Sequence, residues 1–344
     1  MSVYEMPDFD DHERVVFVRD RETGLSSILA IHDTYLGPAC GGTRFYAYAN
    51  STAALTDVLR LSRGMSYKSA MANLPLGGGK AVIIGDSAVA KSEKLLRAYG
   101  RAVESLQGRY ITAMDVGMKH DDMAMIARET KHIAGYTQAG KTGGDSGPLT
   151  ALGVFVGIEA AVRHKLKSDL KGVRVAVQGL GAVGFDLCRH LKNAGASLIV
   201  ADVNQAVVTR AETELGAKAV SPDAILAQDV DVVSPCALGA VFSDASIAAL
   251  KAKVIGGAAN NQLAEDRHGV MLRDKGVLYS PDYVINGGGI IRVAGQLYEW
   301  PDDEIETRVR AIAKTLDEIF VRSEKQSRPT NEIADAIARE RIKR

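Results

Sequence analysis

The chain has 344 residues, of which 46% are hydrophobic and 24% are charged, so it can bury large cores and is not intrinsically disordered. Its length is typical of two domains. Lysine plus arginine equals aspartate plus glutamate, with 42 of each. Because there is no basic excess and no basic stripe with interleaved aromatic residues, we expect no nucleic-acid partner.

The cysteines and the N-terminal segment indicate an intracellular protein. Cys40, Cys188 and Cys236 stand far apart without metal-ligand spacing, so we expect reduced thiols and no bound metal. The first seven residues lack a basic region followed by an apolar run, and no window approaches 18 apolar residues. We therefore expect a cytoplasmic protein with no membrane partner.

Strands alternate with helices through the first 140 residues. The hydrophobic pattern predicts strands at 15–19 and 26–32, a helix at 52–65, a strand at 81–84, a helix at 91–106 and a strand at 110–113. This alternation indicates an open α/β sheet. Ligands of such sheets bind beyond the carboxyl ends of the strands, which is where Asp115 follows the last of these strands.

Two lysines of this region, Lys68 and Lys80, lie twelve positions apart, and Lys80 directly follows three glycines at 77–79. Since glycine has no Cβ, this segment predicts close approach of a small ligand to the backbone. A desolvated lysine beside another cation can act as a base near neutral pH. A surface loop that holds two lysines is the alternative. A phosphate loop is excluded, because Leu74 and Ala81 replace the glycine and the Ser or Thr that it requires.

The second half of the chain opens with a dinucleotide-binding pattern. The glycine-rich, polar segment 138–148 is the expected domain boundary, and 149–164 is the predicted hinge helix. The elements that follow are a strand at 174–178, the glycine fingerprint 179–184, a helix at 185–192 and a strand at 197–201 that ends at Asp202. Further strands are predicted at 230–234, 254–256 and 276–279, and closing helices at 304–324 and 331–341.

Each fingerprint residue has a predicted role. Gly179 permits the tight turn, Gly181 lets a pyrophosphate approach the backbone, and Gly184 lets the helix pack on the strand. The N-terminus of the helix stabilises phosphates. Asp202 would accept hydrogen bonds from the adenosine ribose and repel a 2′-phosphate, which favours NAD over NADP. A tight turn without a ligand is the alternative.

Motifs along essentially the whole chain resemble those of the Glu/Leu/Phe/Val amino-acid dehydrogenases, and within them the leucine/phenylalanine/valine branch. The matching segments are 36–44 (LGPACGGTR), 65–68 (MSYK), 76–80 (LGGGK), 115–116 (DV), 179–184 (GLGAVG), 235–239 (PCALG), 257–261 (GAANN) and 281–286 (PDYVIN). So many matches in order are far more specific than any one of them.

The resemblance implies a two-domain α/β fold with an interdomain cleft. Residues 1–145 would form an α/β substrate-binding and oligomerisation domain, joined by a C-terminal helix at about 326–344, and residues 146–325 a Rossmann domain that binds NAD. The implied reaction is the reversible oxidative deamination of an L-amino acid to a 2-oxo acid and ammonium. The family forms homo-oligomers, so we expect one here.

The resemblance also implies roles for individual residues. Lys68 would bind the substrate carboxylate, Lys80 would activate water, Asp115 would handle protons at the substrate nitrogen, and Asn260 or Asn261 would lie near substrate and nicotinamide. Gly41, Gly42 and Met65 are further expected substrate contacts. The expected cofactor contacts are Thr150, Gly179, Leu180, Gly181, Ala182, Val183, Gly184, Asp202, Val203, Cys236, Ala237, Ala258, Asn260 and Asn286.

The residues expected around the substrate side chain are apolar, and none carries a cation that would recognise a second carboxylate. They are Cys40, Gly41, Ala113, Met114, Ile290 and Val293. Glutamate is therefore not the expected substrate. Apolar pockets separate near-isosteres poorly, since one methylene contributes only about 1–3 kcal/mol. We expect leucine, isoleucine or valine, with phenylalanine or tryptophan as the alternative.

Two other classes of protein remain as alternatives. A dehydrogenase of 2-hydroxy acids usually needs a His–acid pair, and the histidines of this chain show no such setting; they are His12, His32, His120, His132, His164, His190 and His268. Reduction of a 2-oxo acid without ammonium would favour that class. A non-catalytic NAD-binding protein would bind the cofactor without turnover, but the joint presence of Lys68, Lys80 and Asp115 argues against it.

Three residues depart from the leucine-type pattern. Met114 stands where a Glu often precedes the catalytic acid, Gly287 replaces the usual alanine, and Arg292 stands where Asn is common. We expect Arg292 to face solvent. Met114 removes a carboxylate from the neighbourhood of the lysines.

The variant Met114→Glu restores that carboxylate, so we expect an active enzyme with an altered pH–rate profile or substrate preference, because a new negative charge changes the pKa of nearby groups. The measurement is kcat/KM against pH for the parent and the variant. Profiles that overlay would contradict this expectation.

Overall fold

The computed structural model describes residues 2–136 and 146–344, which form two compact units. The first unit comprises Met1–Gly144, Val293–Glu299 and Ala338–Arg344, and the second comprises Asp145–Arg292 and Trp300–Ile337. Most of the expected boundary segment, 138–148, lies outside the described residues. Two segments differ from the expected division, since 293–299 falls in the first unit and 326–337 in the second.

In its described residues up to 136, the first unit contains a five-stranded mixed sheet and three α-helices. The strands are β1 (Arg14–Arg19), β2 (Ser26–Asp33), β3 (Ala39–Tyr46), β4 (Gly77–Ile84) and β5 (Tyr110–Met114), and the helices are α1 (Ser51–Met71), α2 (Glu93–Glu104) and α3 (His120–Ile126). Their order in the sheet is β1-β2-β4-β3-β5. The β1–β2 and β2–β4 pairs are antiparallel, whereas β3 is parallel to both β4 and β5.

The sequence pattern misses or shortens several of these elements. Strand β3 and helix α3 are absent from the prediction, and β4 begins at Gly77 rather than at Ala81. Glycines lower the strand signal because they carry no side chain that packs on a sheet. Helix α1 starts after Asn50, whose Oδ1 accepts a hydrogen bond from the Ala53 N–H at 2.8 Å, and it runs six residues beyond its predicted end.

The three glycines of β4 make room for the protein itself. A Cβ on Gly77 would overlap the carbonyl oxygen of Asp33, one on Gly78 would overlap the backbone of Ser66 in α1, and one on Gly79 would lie 2.6 Å from the ring of Tyr110. The space at the Cβ positions of these glycines is therefore filled by the protein itself, and the expected approach of a small ligand to this backbone stays a prediction. Their lack of a Cβ lets α1 and the neighbouring strands pack directly on β4.

Two buried histidines join α1 to the first strands of this unit. His12 Nε2 lies 2.9 Å from Ser62 Oγ, and His32 Nδ1 lies 2.7 Å from Ser66 Oγ. Arg344 donates a hydrogen bond to the His32 carbonyl at 2.9 Å. Burial lowers the pKa of both imidazoles, that of His32 to about 3. Both rings are therefore neutral when folded, and the unfolded chain gains protons as the pH falls below about 6.5, which destabilises this unit in acid.

The second unit is a doubly wound parallel sheet. Its strands are β6 (Arg174–Gln178), β7 (Ser197–Ala201), β8 (Lys218–Ala219), β9 (Val232–Pro235), β10 (Val254–Ile255) and β11 (Leu278–Tyr279). Their order is β11-β10-β9-β6-β7-β8, and all pairs are parallel. The strand order therefore reverses direction at β6, where the glycine fingerprint begins, and open α/β sheets bind ligands at such a point.

The helices after residue 146 surround this sheet or close the chain. They are α4 (Gly147–Leu166), α5 (Ala182–Asn193), α6 (Gln205–Leu215), α7 (Asp244–Ala249), α8 (Arg267–Asp274), α9 (Asp282–Ile285), α10 (Gly288–Leu297), α11 (Asp302–Arg310), α12 (Ile312–Gln326) and α13 (Thr330–Arg341). The predicted helix 304–324 is divided at Ala311 into α11 and α12. The boundary between the two units falls within α10.

Each unit has its own buried apolar core. In the first, Leu29, Ile83 and Tyr99 belong to a cluster beneath α2, and in the second, Ala176, Val233 and Ile255 belong to a cluster built on the central strands. Within residues 2–136 and 146–344, we find no helix with the length and apolar character needed to cross a bilayer. In the same residues, His, Cys, Asp and Glu side chains do not form a group of three or more that could hold a metal.

The variant Gly78→Ala should lower the free energy of unfolding by about 2 kcal/mol or more, because its methyl group overlaps the α1 backbone at Ser66. Gly64 is the matched control: it lies in α1, and a Cβ added there would meet no atom within 4 Å. Gly64→Ala should raise the free energy of unfolding by up to about 1 kcal/mol. Denaturant titration measures both, and equal effects of the two variants would contradict the packing role of Gly78.

Candidate active site

Lys80 and Asp115 form a close ion pair in the first unit. Lys80 lies on β4, and Asp115 directly follows β5. The Lys80 Nζ atom is 2.5 Å from Asp115 Oδ2. Lys80 is only 8% exposed, and Asp115 is half-buried. Since the pair is largely shielded from water, each charge acts on the other more strongly than in a surface pair.

The Asp115 carboxylate is stabilised in its charged form. Burial by itself would raise the pKa of this carboxyl group, but Lys80, the backbone N–H of Val116 and Arg44 together shift the pKa below its usual value. Arg44 Nε lies 3.5 Å from Asp115 Oδ2, the same oxygen that faces Lys80. Asp115 is therefore ionised at neutral pH and lies between two basic side chains.

The backbone around Asp115 is fixed by its neighbours. A Cβ on Gly42 would lie 2.8 Å from the Cβ of Asp115, so the glycine makes room for the acidic side chain. The Phe45 N–H donates to the Val116 carbonyl at 2.8 Å, and Lys91 Nζ donates to the Gly117 carbonyl at 2.6 Å. These contacts hold the segment after β5 in one conformation.

The other expected substrate contacts of the first unit lie on β3 and on the last two turns of α1. A Cβ on Gly41 would overlap the carbonyl oxygen of Gly79 and would lie 3.3 Å from Met65 Cγ, so β3, β4 and Met65 meet there. Met65 and Lys68 are both half-buried. Their spacing of three residues places them on the same face of α1.

The residues expected to set side-chain specificity differ in exposure. Cys40 is 0% exposed, and burial raises the pKa of its thiol to about 12, which marks a core residue. Ala113 is half-buried, and Met114 is 41% exposed. Ile290 and Val293 lie three residues apart on α10, with Ile290 buried in the second unit and Val293 half-buried in the first.

Arg292 was expected to face solvent, but this expectation is wrong. Its side chain is only 20% exposed, and its Nη1 lies 2.9 Å from Asp302 Oδ1 at the start of α11. The sequence gives no sign of this ion pair, because the partner is ten residues away across the end of α10. Arg292 therefore joins α10 to the start of α11.

The glycine fingerprint has the backbone geometry that its sequence requires. Gly179 has φ +93°, which a residue with a side chain rarely adopts. A Cβ on Gly184 would overlap the Gly179 carbonyl oxygen, whereas one on Gly181 would meet no atom within 4 Å. No side chain caps helix α5 at Gly181, so the first N–H groups of this helix have no side-chain capping partner.

Asp202 lies beside the same turn. Its Oδ2 accepts a hydrogen bond from the Leu180 N–H at 2.6 Å, and its Oδ1 accepts one from the Asn204 N–H at 2.8 Å. Val203, the next residue, is 92% exposed. The open space at Gly181, the uncapped helix and the carboxylate at the end of β7 together fit a dinucleotide with a free ribose.

Two of the expected residues in the second unit contact each other through their side chains. Asn286 is buried, and its Nδ2 donates to Asn260 Oδ1 at 2.8 Å and to the Ala258 carbonyl at 3.1 Å. Asn261 instead has φ +52°, and its carbonyl accepts the Ala240 N–H at 2.6 Å. Asn260 is therefore joined to Asn286, whereas Asn261 has a turn role, and the expected place of either residue near the substrate stays a prediction.

The remaining expected cofactor contacts lie near these elements. Ala237 approaches the fingerprint turn, since a Cβ on Gly179 would lie 2.7 Å from the Cβ of Ala237. The Cys236 N–H donates to the Gln178 carbonyl at 2.7 Å. Thr150 lies at the start of α4, where its Oγ1 donates to the Ser146 carbonyl at 2.9 Å. The expected roles of these residues toward a cofactor stay predictions.

The structure adds two basic residues that sequence reasoning passed over. Arg44 was part of a matching motif without a role, and it contacts Asp115. Lys91 belongs to none of the matching motifs. Its Nζ donates to the Gly117 carbonyl, which anchors the backbone after Asp115, and it pairs with Asp122 Oδ2 at 2.6 Å. The motif that contains Arg44 could have indicated its importance, but its partners lie on other elements.

Family models match almost the whole chain. The model described as Glu/Leu/Phe/Val dehydrogenase, dimerisation domain, matches residues 12–132. The model described as Glutamate/Leucine/Phenylalanine/Valine dehydrogenase matches residues 143–215 and 200–344. The two models therefore cover both compact units.

Similar proteins share this length and fold. Leucine dehydrogenase of Bacillus subtilis (strain 168) is 48% identical over 100% of this chain and 95% of that protein. Valine dehydrogenase of Streptomyces albus is 46% identical over 96% of this chain and 92% of that protein. The crystal structure of L-tryptophan dehydrogenase from Nostoc punctiforme matches with a TM-score of 0.88 and 46% identity, covering 96% of each chain. This chain therefore belongs to the Glu/Leu/Phe/Val dehydrogenase family.

Proposed function

We propose that the protein is an NAD-dependent dehydrogenase that reversibly deaminates an apolar L-amino acid to its 2-oxo acid and ammonium. The buried Lys80–Asp115 ion pair, in a chain of this family, is the observation that carries the proposal. Both the family and the similarity to leucine, valine and tryptophan dehydrogenases support this reaction class. An apolar substrate agrees with the apolar side chains of Met114, Ile290 and Val293.

The ion pair supplies the proton chemistry. Nicotinamide, when bound, supplies the hydride acceptor at the substrate α-carbon. Once Lys80 has released to solvent the proton that it carries in the ion pair, its amine takes a proton from water as the water attacks the imine carbon. Asp115 Oδ2 lies 2.5 Å from Lys80 Nζ, so a proton can pass between these two side chains. The negative charge of Asp115 also offsets the positive charge of the imine.

Lys68 is the proposed partner of the substrate carboxylate. It is half-buried on α1, one turn after Met65. A lysine offers a compact positive charge and three donors, which suits a carboxylate. Gly41 lies against the Gly79 carbonyl and Met65, and Gly42 lies directly against Asp115, so both glycines let the proposed substrate and proton-handling residues pack close to β3.

The cofactor proposed for the second unit is NAD. The α5 N-terminus with Gly181 would hold the pyrophosphate, and Asp202 would accept hydrogen bonds from the ribose hydroxyls. Asn286 and Asn260, which are joined by a hydrogen bond, would lie near the nicotinamide together with Thr150. A carboxylate at position 202 repels a 2′-phosphate, which supports NAD over NADP.

The proposed substrates are leucine, isoleucine and valine. Met114, Ile290 and Val293 are flexible or branched apolar side chains, and such residues suit an aliphatic side chain. Tryptophan or phenylalanine is the second candidate, which the similarity to the Nostoc punctiforme L-tryptophan dehydrogenase favours. An assay of NADH formation across a panel of L-amino acids at alkaline pH separates the two.

We further propose that the protein is a homo-oligomer. The family model that matches residues 12–132 is described as a dimerisation domain. Strand β1 lies at the edge of the first sheet and exposes Phe17, so its outer backbone groups can pair with another strand. Light scattering on the purified protein tests this directly.

The variant Lys80→Ala should lower kcat for amino-acid oxidation by about 10²–10⁴-fold, because it removes the proposed base. Lys94→Ala is the matched control, since Lys94 is exposed on α2 and should leave kcat within about twofold. Steady-state NADH formation measures both variants. A Lys80→Ala enzyme that deaminates as fast as the parent would overturn the proposed mechanism.

The variant Asp202→Asn should raise the ratio of kcat/KM with NADP⁺ to that with NAD⁺ by about tenfold, because it removes the repelling charge and keeps an acceptor oxygen beside Leu180. Adding Val203→Arg, at an exposed position, should raise the ratio further by offering a cation to the 2′-phosphate. Val203→Lys alone is the control, because it adds a positive charge beside the ribose site while the Asp202 carboxylate is kept. An unchanged ratio in Asp202→Asn would argue against a ribose contact.

A further inference from the structure

Arg44 connects Asp115 to a second acidic side chain. Its Nε lies 3.5 Å from Asp115 Oδ2, and its Nη1 donates to Asp57 Oδ2 at 2.9 Å. Tyr48 donates its hydroxyl hydrogen to the same Asp57 oxygen at 2.5 Å. One guanidinium is therefore held between two carboxylates, and the carboxylate farther from Lys80 is itself fixed by a tyrosine.

The four side chains come from a strand, a helix and two connecting segments of the first unit. Arg44 lies on β3, Asp57 on the second turn of α1, Tyr48 in the link between them, and Asp115 after β5. Arg44 and Asp57 are each about one quarter exposed. The guanidinium is planar and stays charged at every working pH, so it can hold Asp57 through a hydrogen bond and attract Asp115 as an ion-pair partner.

We propose that Arg44 is a positioning residue for Asp115: it fixes the carboxylate that pairs with Lys80, and Asp57 sets how much of the Arg44 charge Asp115 receives. The inference rests on the proposed function, because it concerns the same proton-handling pair. Arg44 acts through Asp115 and is not assigned a contact with the substrate.

Removing the charge of Arg44 and removing the charge of Asp57 should shift the pKa of the neighbouring groups in opposite directions. Loss of a positive charge raises the pKa of every titrating group beside it, and loss of a negative charge lowers it. Arg44 is one of the charges that lower the pKa of Asp115. In the proposed mechanism the acidic limb of the pH–rate profile reports the coupled protonation of the Lys80–Asp115 pair. Removing the Arg44 charge should therefore move this limb upward, whereas removing the Asp57 charge, after which Arg44 faces Asp115 alone, should move it downward.

The first experiment compares the kcat–pH profiles of the parent, Arg44→Gln, Asp57→Asn and Arg60→Gln. We expect the acidic limb to shift by about one pH unit upward in Arg44→Gln and by about half a unit downward in Asp57→Asn. Arg60→Gln is the matched control: Arg60 lines the same surface groove of about 790 Å³ as Arg44, but it pairs with Asp8 at 2.7 Å. Its profile should overlay that of the parent.

The second experiment separates positioning from folding. Arg44→Gln should lower kcat about tenfold with little change in the KM for the amino acid, because the substrate contacts remain. Arg44→Lys keeps the charge and should return the acidic limb to within about 0.3 pH units of the parent. Since Arg44 lines an open groove, millimolar guanidinium should restore part of the kcat of Arg44→Ala.

Opposite shifts in Arg44→Gln and Asp57→Asn support the inference even if one variant is made in low yield. Equal profiles for Arg44→Gln and Arg60→Gln, or shifts of the same sign in Arg44→Gln and Asp57→Asn, overturn it. A parent that does not deaminate any amino acid overturns the proposed function instead. An active parent with unshifted variants overturns only the role of Arg44.

Discussion

The structure of the first unit depends on keeping one ammonium and one carboxylate together in a largely dry place. Lys80 lies on β4 and Asp115 follows β5, and β3 separates these two strands in the sheet. Their 2.5 Å contact therefore requires β3 to carry no side chain at Gly42. An ion pair of this kind is costly to bury unless each charge has further partners. Arg44 and the backbone around Val116 provide such partners for Asp115.

The second unit was largely predictable because its signal is local. Strands β6 and β7 have the predicted bounds, and the fingerprint between them specifies its own turn through Gly179 and Gly181. The first unit was less predictable, because its glycine-rich strands β3 and β4 have no alternating pattern. What those glycines contact is set by elements far away in the sequence, as Gly78 and Ser66 show.

In the candidate site, too, local features could be predicted from the sequence, whereas contacts between distant residues could not. The resemblance identified Lys80 and Asp115 as residues of interest, but nothing in their spacing predicts that they touch. The hydrogen bond between Asn260 and Asn286 and the ion pair between Arg292 and Asp302 each join residues that the sequence does not indicate as partners. Arg44 was visible in a motif, yet its function depends on two carboxylates from other elements. Contacts between residues on different secondary-structure elements cannot be predicted from the pattern of a single sequence.

The glycine-lined strands also limit how this enzyme can diversify. At Gly41, Gly42 and Gly78 any side chain would collide with backbone or with Asp115, so these glycines cannot be replaced without moving the chain. Met114 at the end of β5 and the face of α10 that bears Val293 are not confined in this way. New substrate preferences should therefore arise at such permissive positions, while the strands that carry the chemistry stay as they are.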